Sequence, residues 1–473
     1  MDTIIGKMLK LHNWPDGKVI GIAKRTAEQL AAQGLDRETI LARLDAVRQN
    51  PGPFLADEQM EDLARECIRI SQPETQADSS LRESPIEYPI WGRENIDAGS
   101  IEQMNNAMRL PVSVAGALMP DAHVGYGLPI GGVLATENSV IPYAVGVDIA
   151  CRMRLSLYEV SPHLLGQKKG MLERALQEQT AFGMGAQWKD SQRGDHEVLD
   201  DPAWNATQLL SSLKNNAMRQ LGTSGTGNHF VEWGSFRLFE PLHGLQPGDY
   251  LALLSHSGSR SVGFKIADRY SKLAMEKHPD LDKSIRHLAW LMLDSEEGQE
   301  YWLSMELAGR FASANHQVIH QRVARAAGMK EAAVVENHHN FAWAEKLSDG
   351  RDVIVHRKGA TPAAEGVLGI IPGSMGDAGY LVRGRGVDAS LESASHGAGR
   401  LMSRKAAMNS ISRLQRDDYL RERGVTLLGG GMDESPQAYK PIDSIIAAQH
   451  DLVAVIGKFM PRIVRMADEA GEY

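Results

Sequence analysis

The sequence predicts a mixed α+β protein, with one large domain over residues 86–473 and a small helical appendage and linker over residues 1–85. Three observations lead there. From Ile86 onward, short apolar runs end repeatedly in glycine-rich turns, the pattern of strands feeding loops. Longer stretches with helical spacing separate them. The two kinds of segment do not alternate on the regular period of βαβ units, and no internal repeat of roughly 20 to 50 residues is visible.

Taken in order, Ile20 to Gln33 and Asp36 to Val47 place apolar residues at helical spacing. Pro51, Gly52 and Pro53 interrupt this region, and the polar stretch Ser71 to Pro85 reads as a linker. Arg152 to Val160 alternates like a strand. Tyr250 to Leu254 runs into SHSGSR, Ala333 to Val335 into ENHHN, and Leu368 to Ile371 into PGSMGDAG. Polar residues thus follow strand ends, where active-site loops often begin. Helices are expected over Leu164 to Gln179, Ala206 to Gln220, Ser304 to Ala327, Gly399 to Leu414 and Ser444 to Phe459.

With 42% hydrophobic and 23% charged residues, the chain of 473 can bury a large core and is not disordered. Sixty acidic against 51 basic residues leave a net charge of −9, which argues against holding nucleic acid by bulk charge. A nucleic-acid substrate would need a local basic track. Two cysteines exclude a disulfide scaffold, and no run approaches the roughly 18 apolar residues of a membrane span. The start, MDTIIGKMLKLHNWPDG, has too short an apolar stretch and no small-residue cleavage site, so no signal peptide is read and the cytosol is the expected location.

The 46 glycines cluster as GYGLPIGG, GTSGTGNH, SGSR, PGSMGDAG and SHGAG, and His123, His229, His256 and His396 lie in or beside these clusters. Glycine lets backbone N–H groups close on phosphate oxygens. In GVDIACR, Asp148 and Cys151 are spaced to point a carboxylate and a thiolate at one ion. With three histidines drawn from His229, His256, His338 and His339, the set could hold two divalent ions bridged by the thiolate. Softness alone suggests zinc or iron. Cys67 has no such partner and reads as core. His316 and His320 lie one helical turn apart without the glutamate of a zinc protease motif, and read as structural. Ser255, His256 and Ser257 are sequence neighbours, which rarely serve one another as a hydrolase triad.

Read together, MPDAHVGYGLPIGG, VGVDIACRMRL, GTSGTGNHFVEW, SHSGSR, ENHHNFAW, HRKGATPA, IIPGSMG and SHGAGRLMSRKAA resemble, in order, the blocks of the RtcB family of RNA ligases, over about residues 90 to 461. The resemblance implies a single α+β catalytic domain and a GTP- and Mn²⁺-dependent ligase that joins RNA 3′-phosphate or 2′,3′-cyclic phosphate ends to 5′-hydroxyl ends. It implies one Mn²⁺ on Asp148, Cys151 and His229 and a second on Cys151, His256 and His339. His339 is chosen over His338 because Asn340 follows it. The guanylate-binding stretches it implies are Asn228, His229, Phe230, Val231 and Glu232, then His339 with Asn340. Pro372, Gly373, Ser374 and Met375 form the next, and His396, Gly397, Ala398 and Gly399 the last. His396 matches the nucleophile that becomes guanylylated.

Arg357, Lys358, Arg400, Arg404 and Lys405 are the expected basic track for the RNA. Two positions depart from the family pattern: Gly379 stands where a serine is usual, and Met466, beside Arg465, where a lysine contacts the guanylate. They motivate an alternative, a binuclear-metal RNA end phosphodiesterase without ligation. The helical appendage implies a divergent branch of the family, working in RNA repair or tRNA-splicing-type ligation, with a release-factor-like repair partner or an activating protein as candidate partners.

Overall fold

A computed structural model of the chain describes residues 8–9, 12, 14–15, 18–57, 59–71 and 80–468. They form two compact units, residues 1–80 and 81–473. In the first, helices Lys18–Ala32, Arg37–Gln49 and Glu61–Ser71 enclose their own core. Ile40, Leu44 and Val47 form the buried stripe of the second helix, and the Asp36 carboxylate caps it by accepting from the Thr39 N–H at 2.9 Å. Cys67 is buried in this core. Most of the expected linker, residues 72–79, lies outside the described residues. Beyond it the chain already belongs to the second unit, where the Arg82 and Ile86 N–H groups donate to the carbonyls of Arg109 and Met108.

The second unit is mixed α+β. Its early strands are β1 (Ser113–His123), β2 (Ile130–Thr136), β3 (Ser139–Val140), β4 (Arg152–Tyr158), β5 (Phe230–Leu238) and β6 (Gly248–Ser257). Then come β7 (Leu291–Met292), β8 (Ala333–His338), β9 (Asn340–Lys346), β10 (Asp352–Lys358) and β11 (Ala360–Pro362). The last are β12 (Leu368–Ile371), β13 (Gly379–Gly384), β14 (Ser393–Ser395), β15 (Thr426–Leu428) and β16 (Val453–Met466). The main sheet has eight strands, in the order β12-β13-β16-β5-β6-β4-β8, with β15 added beside β16. A four-stranded sheet runs β1-β2-β10-β9, and β11 pairs with β14.

Alternation along the strands separates two cores. Phe230, Phe236, Leu254 and Phe459 point into one. Val231, Trp233, Leu251 and Leu253 point into the other, against the long helix Glu296–Ala326 through Ile319 and Val323. Ser295 caps that helix by accepting from the Gly298 N–H at 3.1 Å, with Glu296 and Glu297 in its first turn and Arg325 in its last. No described helix is long and apolar enough to cross a membrane.

Two expected helices are overturned. Over Ser444 to Phe459 the helix is only Ile442–Ala447, and Val453 onward is β16. The β-branched Val453, Val455 and Ile456 suit a strand, and pairing with β13 and β5 on either side overrides the helical spacing. Over Gly399 to Leu414 there are two separate helices, Arg404–Ser410 and Arg413–Glu422, because Ser403 and Ser412 each cap a new start.

Candidate metal centre and active site

Register gathers the first set of side chains. Arg152 at the start of β4 lies opposite Ser257 of β6 and His338 of β8, and Phe230 at the start of β5 lies opposite His256. These antiparallel strands therefore bring Cys151, His229, His256 and His339 to one edge of the main sheet. Cys151 Sγ lies 3.4 Å from His229 Nε2 and 3.0 Å from His256 Nε2. His229 Nε2 is 3.0 Å from Asp148 Oδ2, and His256 Nε2 is 3.2 Å from His339 Nε2. All five expected side chains form one continuous chain of contacts. His338 is not among them, since its ring stacks on Trp343 at 5.0 Å between centroids.

This donor set fits a metal ion. His256 Nδ1 donates to the Asn228 carbonyl at 2.9 Å, which leaves Nε2 with a bare lone pair facing the sulfur. Burial, then His229, lowers the His256 pKa to about 3, so the ring stays neutral. Burial, then the Asp148 charge, holds the Cys151 thiol well above its ordinary value, so a cation is what would make it a thiolate. Burial alone would raise Asp148, but the hydrogen bond and charge of His229 bring it below its usual value. Cys151, His229 and His256 thus form a buried cluster compatible with a metal ion.

The loop geometry is tight. Ala150 takes a left-handed backbone (φ 57°) and its N–H donates to the Asn340 carbonyl at 2.7 Å. Asn340 Nδ2 donates to the Asp148 carbonyl at 3.2 Å, and Asn340 Oδ1 accepts from the Gly359 N–H at 2.8 Å. A Cβ at Gly258 would lie 2.3 Å from Asp148 Oδ1, so only glycine lets SHSGSR approach the carboxylate.

His396 follows β14, and its ring lies 4.9 Å from that of His339, centroid to centroid. Asp121, fully buried in β1, accepts from His396 Nδ1 at 2.7 Å and from the His396 backbone N–H at 3.2 Å, both through Oδ2. Burial pushes Asp121 up, but the His396 hydrogen bond and the charges of His396 and Lys440 hold it below its usual value. An ionised Asp121 can only accept, so His396 Nδ1 carries the proton of this bond and Nε2 is the ring nitrogen left outside it. Gly399 (φ 72°) permits this contact, because a Cβ there would meet the Asp121 carbonyl at 2.1 Å.

The remaining expected nucleotide-binding stretches divide. Phe230 packs on His256, with centroids 5.8 Å apart, and Met375 and Met466 share its core. Glu232 is buried on the same strand face, where burial raises its carboxyl well above the usual range. The Val231 side chain faces the opposite core, so what it offers this site is its backbone. A Cβ built at Gly397 would meet the Pro372 carbonyl at 3.4 Å, which brings two of the expected stretches together. Ser374 hydrogen-bonds Asp377 and Gly373 packs on the Asp377–Ala378 turn, while Ala398 is buried core.

Most of the expected basic track is engaged within the protein. Arg357 pairs with Glu345, Arg400 with Glu434, and Arg404 with Asp433 and Glu434. Lys358 is buried and donates to the Tyr126 carbonyl, and burial drops its pKa to about 7. Of the five, only Lys405 is exposed without a described ion pair. Arg465 does not reach inward either, since its Nη1 donates to the Leu428 carbonyl and to Asp468, at 2.8 and 3.0 Å.

Sequence reasoning passed over two residues at the site. Asp121 stands inside the MPDAH block, a carboxylate two residues from a histidine, but its partner lies in a distant block. Arg260, the last residue of SHSGSR, is held in a left-handed conformation (φ 57°). It is buried, donating to Thr223 Oγ1 at 3.1 Å and to the Gly183 carbonyl at 2.5 Å.

Comparison with known proteins decides the family. A family model described as tRNA-splicing ligase RtcB matches residues 103–467, most of the chain. The chain belongs to the RtcB family. Similar RtcB proteins include the RNA-splicing ligase RtcB of Escherichia coli K12, 32% identical over 397 residues that cover 76% of this chain and 92% of the relative. The tRNA-splicing ligase RtcB of Thermococcus kodakarensis is 32% identical over 431 residues, covering 74% and 87%. The RNA-splicing ligase RtcB of Mycobacterium tuberculosis is 31% identical over 434 residues, covering 76% and 98%. RtcB membership, with the Cys/His cluster, supports an RNA-ligase type of activity.

Proposed function

We propose that this protein is a GTP- and Mn²⁺-dependent RNA ligase that joins 3′-phosphate or 2′,3′-cyclic phosphate ends to 5′-hydroxyl ends through a guanylylated His396. One observation carries the reading: a histidine fixed through Nδ1 by a buried carboxylate at 2.7 Å, with Nε2 left outside that bond, stands 4.9 Å from the ring of a histidine that adjoins the Cys/His cluster.

Asp148, Cys151 and His229 would hold one ion, and Cys151, His256 and His339 the other. Bound divalent ions supply Lewis-acid neutralisation of phosphate charge. The protein's own contribution begins with Asp121, which holds the His396 ring and favours the positive charge that develops on it. His396 Nε2 attacks the α-phosphorus of GTP, forming the N–P bond as the bond to pyrophosphate breaks. An RNA 3′-phosphate oxygen then takes the guanylate from Nε2, and a 5′-hydroxyl displaces GMP to seal the strand. A cyclic phosphate end is first hydrolysed at the same site.

The test is incubation with α-labelled GTP and Mn²⁺. The parent takes covalent label and His396→Ala takes none; an unlabelled parent overturns the reading. Met466, in the apolar core, and Arg465, tied to Asp468, favour a second reading, because neither places a cation at the nucleotide. In that reading the centre is a binuclear phosphodiesterase for RNA ends, and cyclic phosphates are opened without GTP.

A further inference from the structure

Three of the five residues of the expected cationic track are paired with carboxylates, and a second basic surface lies elsewhere. A cavity of about 420 Å³ is lined by His163, Lys169, Ser235, Thr426 and Arg462, with glycine and apolar residues completing it and no carboxylate among its lining residues. Arg462 is half-buried, and its Nη1 donates to the carbonyls of Arg423 at 2.6 Å and Pro461 at 3.4 Å. Backbone carbonyls fix this guanidinium without cancelling its charge. Ser235 and Thr426 add hydroxyl donors.

A second cavity, about 630 Å³, shares Lys169, Gly424 and Thr426 with the first, so the two form one trough. Arg413, Arg416 and Arg421 extend the positive wall. Its acids, Asp417 and Asp468, are paired with Arg416 and Arg465, and Lys169 and Arg421 lie 3.7 and 2.5 Å from Glu173 and Asp418, so cations still outnumber acids in the lining itself.

The trough has a direction. It follows β15 along β16, from Thr426 opposite Ile463 to Leu428 opposite Arg465. One residue further, Met466 lies opposite Phe230, which adjoins His229. The trough thus lies along the part of β16 whose end is nearest His229.

We propose that this trough holds backbone phosphates of the RNA strand whose end is being joined, at a distance from the reacting atoms. The inference rests on the ligase reading for the identity of the strand. Its recognition is by charge and hydroxyl donors, so it is indifferent to base sequence.

The experiment compares the parent with the double variant Lys169→Gln/Arg413→Gln, both exposed positions. Anisotropy measures binding of two labelled single-stranded RNAs with 3′-phosphates, about 4 and about 20 nucleotides long, across a salt series. The double variant is expected to bind the long RNA about 10-fold more weakly. Its log–log salt slope should be shallower by about 1.4, two phosphate contacts at about 0.7 each. Affinity for the short RNA and labelling of His396 from GTP should match the parent. Unchanged affinity for the long RNA, or equal loss for both lengths, would overturn the proposal. If the parent never takes label but loses only the long RNA on substitution, the ligase reading falls and the trough stands.

Discussion

Asp121 and His396 show how a single carboxylate can prepare the proposed nucleophile. The carboxylate accepts a hydrogen bond from Nδ1 and fixes the ring, while remaining fully buried. Asp121→Asn keeps the size but loses the charge, so the rate of His396 labelling should fall by about 10²-fold, in the range for a positioned acid–base partner. Bound metal, measured by elemental analysis, should be unchanged. Cys151→Ser behaves in the opposite way. The hydroxyl is a poor substitute for a thiolate shared between His229 and His256, so bound metal is lost first. Adding a chelator should lower the thermal midpoint of the metal-loaded parent and leave that of the variant unmoved.

At the scale of elements, the ends of β4, β5, β6 and β8 do the positioning, and loops between glycines complete it. Gly379, where the family usually has serine, begins β13, and a Cβ there would meet Pro372, Leu254 and the Ile371 carbonyl only at 3.5 to 3.8 Å. Those are ordinary contacts. Gly379→Ser should therefore change stability by no more than about 0.5 kcal/mol in chemical denaturation, while raising the fraction of protein labelled at limiting GTP. The strands that hold Cys151, His256 and His339 were legible in the sequence because each carries its polar residues immediately beside an apolar run. The bond between Asp121 and His396 was not, since nothing in local spacing links two blocks 275 residues apart. Equally hidden was the neutralisation of Arg400 and Arg404, because Glu434 comes from a short turn with no pattern of its own. β16 was misread because its apolar residues satisfy a helical period, and only its place between β13 and β5 selects the strand.

Across the whole molecule, buried neutral imidazoles couple folding to acidity. Burial lowers His316 to about 3 and His356 to about 4. His316 Nδ1 is 2.8 Å from Ser255 Oγ, and His356 Nε2 accepts from the Ile141 N–H at 2.9 Å. A lowered histidine pKa means that the unfolded chain takes up protons that the folded one refuses. The stability these groups contribute is therefore complete above their unfolded pKa of about 6.5 and is lost as pH falls toward 3 to 4. Denaturant midpoints should accordingly drop between pH 7 and pH 5, and the drop should shrink in His356→Gln, whose neutral amide can still accept from Ile141.

The sheet order also sets a timetable for synthesis. β16 comes latest in sequence among the described strands, yet it lies in the interior of the main sheet, between β13 and β5. A ribosome that has translated through residue 450 has made every proposed metal ligand and the proposed nucleophile, but the strands that should flank β16 still have open edges. Until that last strand emerges, the nascent chain depends on whatever shields those edges from neighbouring polypeptides.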